Sequence, residues 1–387
     1  MKICLAPFRL LWTPYLGGHA WVYLNWAMGM QANGCDITIL ETFREDAKPE
    51  DALCILSAFR ENLNRIGADF RITLLLSEHQ IAEYQDVYEE LATLTVPLEA
   101  TLEQADLLLN FHYGLDAEIV SRFKRSALVD IDPGLLQLWV SEGQFQLIPH
   151  DIYFTIGETV GQPGARFPDL GLEWHYTPPV VFSPAWPRAE SDPLAPFTTI
   201  SNWWSGWESF KGEIFNNEKR TSFLEYLELP LNTTVPLELA LCIDRALCTD
   251  LEAQEQDRRL LESKGWRVRN SLDVSSTLRQ YRAYIRSSRG EFSCAKPSCM
   301  RLQNAWISDR TLCYLASGKP AVVQHTGPSR FLPDAEGLVR FRSFDEAVQG
   351  LASVERDYER HSRQALALAE EYFDAERVSR HVLERIL

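Results

Sequence analysis

The stretch "YLASGKPAVVQHTGPSRFLP", Tyr314 to Pro333, decides the fold. A helical run stops at Gly318, where a left-handed residue closes a helix, and Pro320 prevents it from continuing. Ala321 to Val323 is a short β-type run, most easily placed as a buried parallel strand. His325-Thr326-Gly327-Pro328 is turn chemistry at the carboxyl end of that strand, where open α/β sheets place their ligands. The segment reads as helix, strand, ligand-facing loop.

The same alternation extends in both directions. "KICLA" (2–6), "DITIL" (36–40), "FRITLLL" (70–76), "DLLLNF" (106–111) and "SALVDI" (126–131) have strand character, with helices expected over 19–33 and near 80–92 and 115–124. After the proline-dense "TPPVVFSPAWPRAESDPLAP" (177–196), which suits neither helix nor central strand, the alternation restarts with "FTTIS" (197–201), "VPLELALCI" (235–243), "WRVRN" (266–270) and "GLVRF" (337–341). Helices are expected near 250–264, 273–285 and 309–317, and Ser343 with Glu346 spells a capping box. The expected class is α/β: two Rossmann-like units, 1–180 and 197–365, joined by a linker at 181–196 and followed by a helical tail, 366–387. Parallel sheets covered on both faces follow from the alternation, and the cleft between the units is the default site.

At 387 residues the chain is long enough for two full cores, and 45% hydrophobic with 24% charged residues is ordinary for a globular protein. No apolar run approaches the roughly 20 residues a membrane span needs. Pro7, Arg9 and Pro14 interrupt the N-terminal apolar stretch, which reads as a strand and loop and not as a signal peptide. The net charge of −16 repels a polyanion, so nucleic acid is not an expected partner. Eight cysteines without a CxxC pair suit reduced, structural thiols in a cytoplasmic protein, and no metal site is expected.

Several clusters carry chemistry. Between Arg286 and Arg310 stand five basic residues (Arg286, Arg289, Lys296, Arg301, Arg310) and two acidic ones (Glu291, Asp309). Ser308-Asp309 would open the helix that ends at Gly318, and a helix start beside Arg or Lys suits a phosphate. In "YLGGHAW" (15–21), Gly17 and Gly18 permit close backbone approach, and His19 stands at a helix start facing the cleft. "DIDPG" (130–134) puts Asp130 and Asp132 on one face of a strand end, although Asp132-Pro133-Gly134 is also ordinary turn chemistry. His112 and Tyr113 end another strand. Trp203, Trp204 and Trp207 could stack on a ring or simply pack the core.

Here the sequence resembles known enzymes. Helix, "ASGKP", apolar strand and Thr-Gly loop together look like the donor-nucleotide half of GT-B glycosyltransferases. "GGHAWVYLNWAMGMQANGCDITILE", "LVDIDPGLLQLW", "FTIGETVG", "SRGEFSCAK" and "SDRTLCYLASGKPAVVQHTG" are similar to a bacterial group of glycosyltransferase-like proteins. The resemblance implies transfer of a sugar from a nucleotide donor, a UDP-sugar first, to an unidentified acceptor, with no further cofactor and with the C-terminal helix crossing back to the first unit. It implies a donor site drawn from Lys211, Lys219, Arg289, Glu291, Asp309, Arg310, His325, Thr326 and Gly327. Gly17, Gly18, His112 and Tyr113 fall on the acceptor side. His19 corresponds to a catalytic base, with Asp116 or Asp132 to orient it. Cys313 stands where retaining members carry a ribose-binding Glu, which favours inversion. An Asp-x-Asp metal site would belong to single-domain GT-A enzymes, and the duplicated architecture opposes it. A nucleotide-sugar epimerase or hydrolase, and a non-catalytic carbohydrate-binding protein, are the alternative expectations.

Overall fold

The structure, a computed structural model, describes residues 1–12, 17–242 and 251–387. Tyr15 and Leu16 of the glycine loop, and Ile243 and Asp250 at expected element ends, lie outside the described residues. Seven strands, β1 (Lys2–Ala6), β2 (Asp36–Glu41), β3 (Arg71–Leu74), β4 (Leu107–Asn110), β5 (Ser126–Asp130), β6 (Ile152–Thr155) and β7 (Trp174–Tyr176), form a sheet ordered β3-β2-β1-β4-β5-β6-β7. Every pair in it is parallel. After β8 (Phe197–Asn202) a small antiparallel hairpin intervenes, β9 (Trp207–Phe210) and β10 (Glu213–Asn216). Then β11 (Leu237–Cys242), β12 (Arg267–Asn270), β13 (Gly290–Ser293), β14 (Ala321–Gln324) and β15 (Leu338–Phe341) join β8 in a second parallel sheet, β12-β11-β8-β13-β14-β15. Residues of β4, β5 and β14 are buried along their whole length, as strands covered on both faces must be. Each order reverses beside its first strand, and ligands of open α/β sheets bind at such switch points.

The stretch that decides the fold behaves as its residues require. The helix Asp309–Ala316 closes in a Schellman pair, Gly318 N–H to Leu315 O at 2.9 Å and Lys319 N–H to Tyr314 O at 2.9 Å, with Gly318 at φ +70°. The Ser308 side chain makes no capping bond. The capping box at Ser343 is half built: its hydroxyl accepts the Glu346 N–H, but Glu346 Oε2 takes the Arg342 N–H at 2.6 Å, one residue early.

Hydrogen bonds tie the C-terminal helices back onto the rest of the chain. The Tyr358–Tyr372 helix joins the Asp309–Ala316 helix through Ser362, which donates to Gly318 O at 2.7 Å. Phe373–Asp374 then crosses to Val181: the Val181 N–H reaches Phe373 O at 2.8 Å and the Ala375 N–H reaches Val181 O at 3.0 Å. The last helix, Ala375–Ile386, packs on the Gly17–Ala32 helix, where Asn33 Nδ2 donates to Glu376 O at 2.7 Å. The two sheets also meet through buried aromatics: Trp21 lies 4.7 Å from Trp186 and donates to Leu278 O at 3.1 Å.

Gly29 sits at that helix crossing, and a Cβ there would stand 2.5 Å from the Ala375 carbonyl oxygen. Val gains a few tenths of a kcal/mol over Gly in helix propensity, roughly, but it must push a backbone aside, which costs about 1–3 kcal/mol. Overpacking wins. Gly29→Val is expected to lower the urea midpoint accordingly, and an unchanged midpoint would show that the two helices separate freely.

Candidate functional site

Two adjoining cavities, about 390 and 340 Å³, lie between the sheets, and His19, Lys219, Lys296, Ser308 and Asp309 line both. The first is walled by the carboxyl ends of β8 and β11 (Ile200 to Asn202, Cys242), with Ser271, Tyr281 and Arg310, and by Gly17 and Gly18 from the opposite sheet. The second is aromatic: Phe8, Tyr23, Phe111 and Tyr113 come from the first sheet's side, with Trp139 and Trp306.

The glycines have a steric reason. A Cβ on Gly17 would lie 2.7 Å from Ser275 O, and one on Gly18 would lie 2.7 Å from the Tyr281 ring. The space they leave is therefore taken partly by the facing half of the protein. His19 follows, exposed by surface area yet standing deep in the cleft with protein all around it. That burial lowers its pKa, against the opposing effects of the Phe8 carbonyl and the Asp132 charge. Its Nε2 lies 2.5 Å from Phe8 O. A carbonyl only accepts, so Nε2 carries the proton and Nδ1 keeps its lone pair. The segment holding Phe8 is fixed in turn by Glu41, which accepts the Leu10 N–H at 3.1 Å.

Two lysines converge here without an ion pair among the described residues, although Asp309 shares their wall. The Lys219 ammonium is buried beside Trp306, 5.8 Å from the ring centroid, and makes no ion pair among the described residues. Burial first, then the positive charges of Arg310 and Lys296, bring its pKa down to about 7. Lys296 lines both cavities from the position before Pro297, which opens a short helix. Arg310 is committed to the fold: it donates to Glu291 (2.7 Å), Ser293 (2.7 Å) and Ile200 O (2.9 Å), tying β8 to β13 at the edge of the first cavity. Burial pushes the Asp309 carboxyl up to about 6.

Tyr113 clasps the Asp-x-Asp pair. Its hydroxyl accepts the Ile131 N–H (2.8 Å) and lies 3.3 and 3.4 Å from the carboxylates of Asp130 and Asp132. Asp130 is buried and also accepts from Thr155 and Gln137, whereas Asp132 opens on the second cavity. Among the described residues no group of three or more His, Cys, Asp or Glu is arranged to hold a metal ion.

The Thr-Gly loop acts from behind the site. Gln303 and Ala305 have left-handed φ, +52° and +58°, costly for residues with a Cβ. They are held by the Ala305 N–H on Thr326 O (3.1 Å), by Thr326 Oγ1 on Trp306 O (2.6 Å) and by Asn304 Nδ2 on Pro133 O (2.7 Å). Gly327 is needed there, since its Cβ would stand 2.6 Å from Gln303 O. Thr326 and Gly327 thus set the loop that presents Asn304 and Trp306 to the second cavity, and neither lines a cavity itself.

Of the residues singled out from sequence, Gly17, Gly18, His19, Tyr113, Asp132, Trp204, Lys219, Lys296, Ser308, Asp309 and Arg310 line the two cavities. The others stand apart. Asp116 caps a helix by accepting the Glu118 N–H at 2.7 Å. Lys211 is at the exposed tip of the β9–β10 hairpin, at φ +52°. Arg289 is paired with Glu355 at 2.8 Å and lies over the Tyr358 ring. Glu291 is consumed by Arg310, and His325 Nδ1 accepts the Gly327 N–H. His112 is one layer back, its ring 5.2 Å from Phe8. Cys313 faces the core, its thiol donating to Asp309 O at 3.3 Å. Trp203 is core and Trp207 is exposed. Lys296 counts toward the basic excess in the sequence, but nothing in its spacing marks it above Arg289 or Arg301. Tyr281, Trp139 and Trp306 carry no local signal.

No protein-family model matches the chain, and no curated protein matches it significantly. Solved structures do. An alpha-glucosyltransferase in complex with UDP matches 100% of this chain and 99% of its own, with a TM-score of 0.58 at 11% identity. HepE from Anabaena, in complex with UDP and glucose, matches 100% and 99% with a TM-score of 0.52 at 11% identity. AviGT4, a glycosyltransferase involved in avilamycin A biosynthesis, matches 100% and 97% with a TM-score of 0.51 at 13% identity. With its two parallel sheets of seven and six strands facing across a cleft, the chain has the GT-B fold of these glycosyltransferases.

Proposed function

We propose that the protein is a glycosyltransferase that takes a nucleotide sugar in the first cavity and an acceptor in the second. The observation that carries this is their shared wall, where an imidazole with a free lone pair and two lysines without ion pairs among the described residues stand together. Lys219 and Lys296 bind the donor diphosphate, whose charge gives them ionic partners and restores full protonation of Lys219. UDP is the expected nucleotide, since the alpha-glucosyltransferase and HepE are described in complex with it. His19 Nδ1 takes the acceptor hydroxyl proton as the bond to the anomeric carbon forms, and Asp132 stabilises the resulting imidazolium. One base on the acceptor side means inversion of the anomeric configuration. The lysines carry the charge of the leaving diphosphate without a metal ion. The chain divides functionally into an acceptor unit (1–180), a linker (181–196), a donor unit (197–365) and a tail (366–387) that returns to the first unit. A net charge of −16 disfavours a polyanionic acceptor.

Nucleotide release from UDP-, GDP- and dTDP-sugars, with and without a panel of sugar and phenol acceptors and with EDTA throughout, tests this. Release that depends on an acceptor, continues in EDTA and gives the inverted product is expected. Acceptor-independent release indicates a hydrolase, and no release with any donor rejects the transferase.

A further inference from the structure

Away from the cleft, where the chain returns to the first sheet, lies a third cavity of about 350 Å³. Its body is apolar. Tyr176, at the end of β7, stacks on Phe331 with ring centroids 5.2 Å apart and planes within 8°, and Val378 and Val382 of the last helix complete it. Phe331 keeps 53% of its surface exposed, which an aromatic ring does at a cost unless something covers it. Its rim carries two arginines, a histidine and one acid, Glu371. Arg377, His381 and Arg385 line it at intervals of four residues and so share one face of the Ala375–Ile386 helix. None of the three forms an ion pair among the described residues, whereas Arg380 beside them pairs with Glu376 at 2.6 Å. The Arg377 guanidinium donates to the Glu370 carbonyl, at 3.2 Å. With Glu371 also on the lining, Arg377 and Arg385 leave the cavity one net positive charge above its aromatic floor, in a chain whose net charge is −16.

We infer that this cavity binds a single-chain anionic amphiphile, its tail against the Tyr176–Phe331 stack and its carboxylate or phosphate head on Arg377 and Arg385. A purely ionic site has no use for the stack, and a purely apolar groove has none for the cations. The floor is fixed from both halves of the protein: Ser329, two residues before Phe331, donates to the buried Glu158 at 2.5 Å. The site is independent of the chemistry assigned to the cleft.

Calorimetric titration of the full chain with dodecanoate and with dodecyl phosphate, both below their micelle concentrations, tests it, with anionic phosphatidylglycerol vesicles as a third arm. Saturable 1:1 binding of at least one monomeric amphiphile is expected. It should weaken about tenfold or more in the double variant Arg377→Glu/Arg385→Glu, which loses charge-assisted contacts. It should also weaken in Phe331→Ala. These side chains reach the surface, so the variants should keep the wild-type melting temperature, which is checked alongside. Absence of saturable binding, unchanged affinity in both variants, or binding to vesicles alone would overturn the assignment.

Discussion

His19→Ala is expected to lower the rate of sugar transfer about 10²–10⁴-fold, the usual span for loss of a general base, with UDP affinity nearly unchanged. The imidazole faces the shared wall with Nε2 held by the Phe8 carbonyl, so the base nitrogen is fixed by the backbone and does not depend on chance rotation. Burial lowers its pKa from the ordinary value near 6.5, so the neutral, proton-accepting form persists below that pH. The wild-type rate should therefore hold as pH falls through 6.5 and decline only at more acidic values. The acidic limb should vanish in His19→Ala. Full turnover in that variant, or an unchanged limb, removes His19 from the chemistry and leaves the donor cavity standing.

Lys219→Ala is expected to weaken UDP binding by roughly 10- to 150-fold, the equivalent of about 1.5–3 kcal/mol for one charge-assisted contact. Its pH dependence is the sharper signature. With a pKa of about 7 in the free protein, Lys219 is largely charged below pH 7 and binds the diphosphate directly. Above pH 7 binding must first take up a proton, so affinity should fall about tenfold per pH unit until the pKa of the bound state is reached. The terminal phosphate of UDP titrates near 6 and adds nothing above 7. In Lys219→Ala the slope between pH 7.5 and 8.5 should flatten. Calorimetry in buffers of different ionisation enthalpy reads the proton uptake directly, and a pH-independent affinity in the wild type excludes Lys219 from the phosphate site.

The fold was legible where local chemistry and tertiary context agree. Gly318 and Pro320 punctuate a helix and a strand, and short apolar runs bounded by polar or turn residues, such as Leu107–Leu109, suit buried strands of a parallel sheet. β7 and β13 were not legible, because "WHY" and "GEFS" are short and mix polar residues or Gly with the aromatics. Their strand state comes from pairing with β6 and with β8 and β14. The β9–β10 hairpin was equally hidden, since its turn puts Lys211, a residue with a Cβ, at positive φ beside Gly212. Within the site, a glycine or a His-Thr-Gly turn announces that the backbone is special but not what it serves. Thr326-Gly327 serves the Asn304–Trp306 loop, and Arg310, the most obvious cation, is spent on Glu291. A lysine gives no local hint that it will be left without a partner. Lys296 needed the three-dimensional arrangement.

The central claim is that a nucleotide diphosphate sits at the wall shared by the two cavities. A crystal structure of the protein soaked with UDP tests it most directly. The diphosphate oxygens should lie within about 3 Å of the ammonium groups of Lys219 and Lys296, with the nucleoside in the cavity bounded by Ser271 and Tyr281 and the aromatic cavity left open for the acceptor. UDP bound elsewhere, or a diphosphate contacting neither lysine, would contradict it.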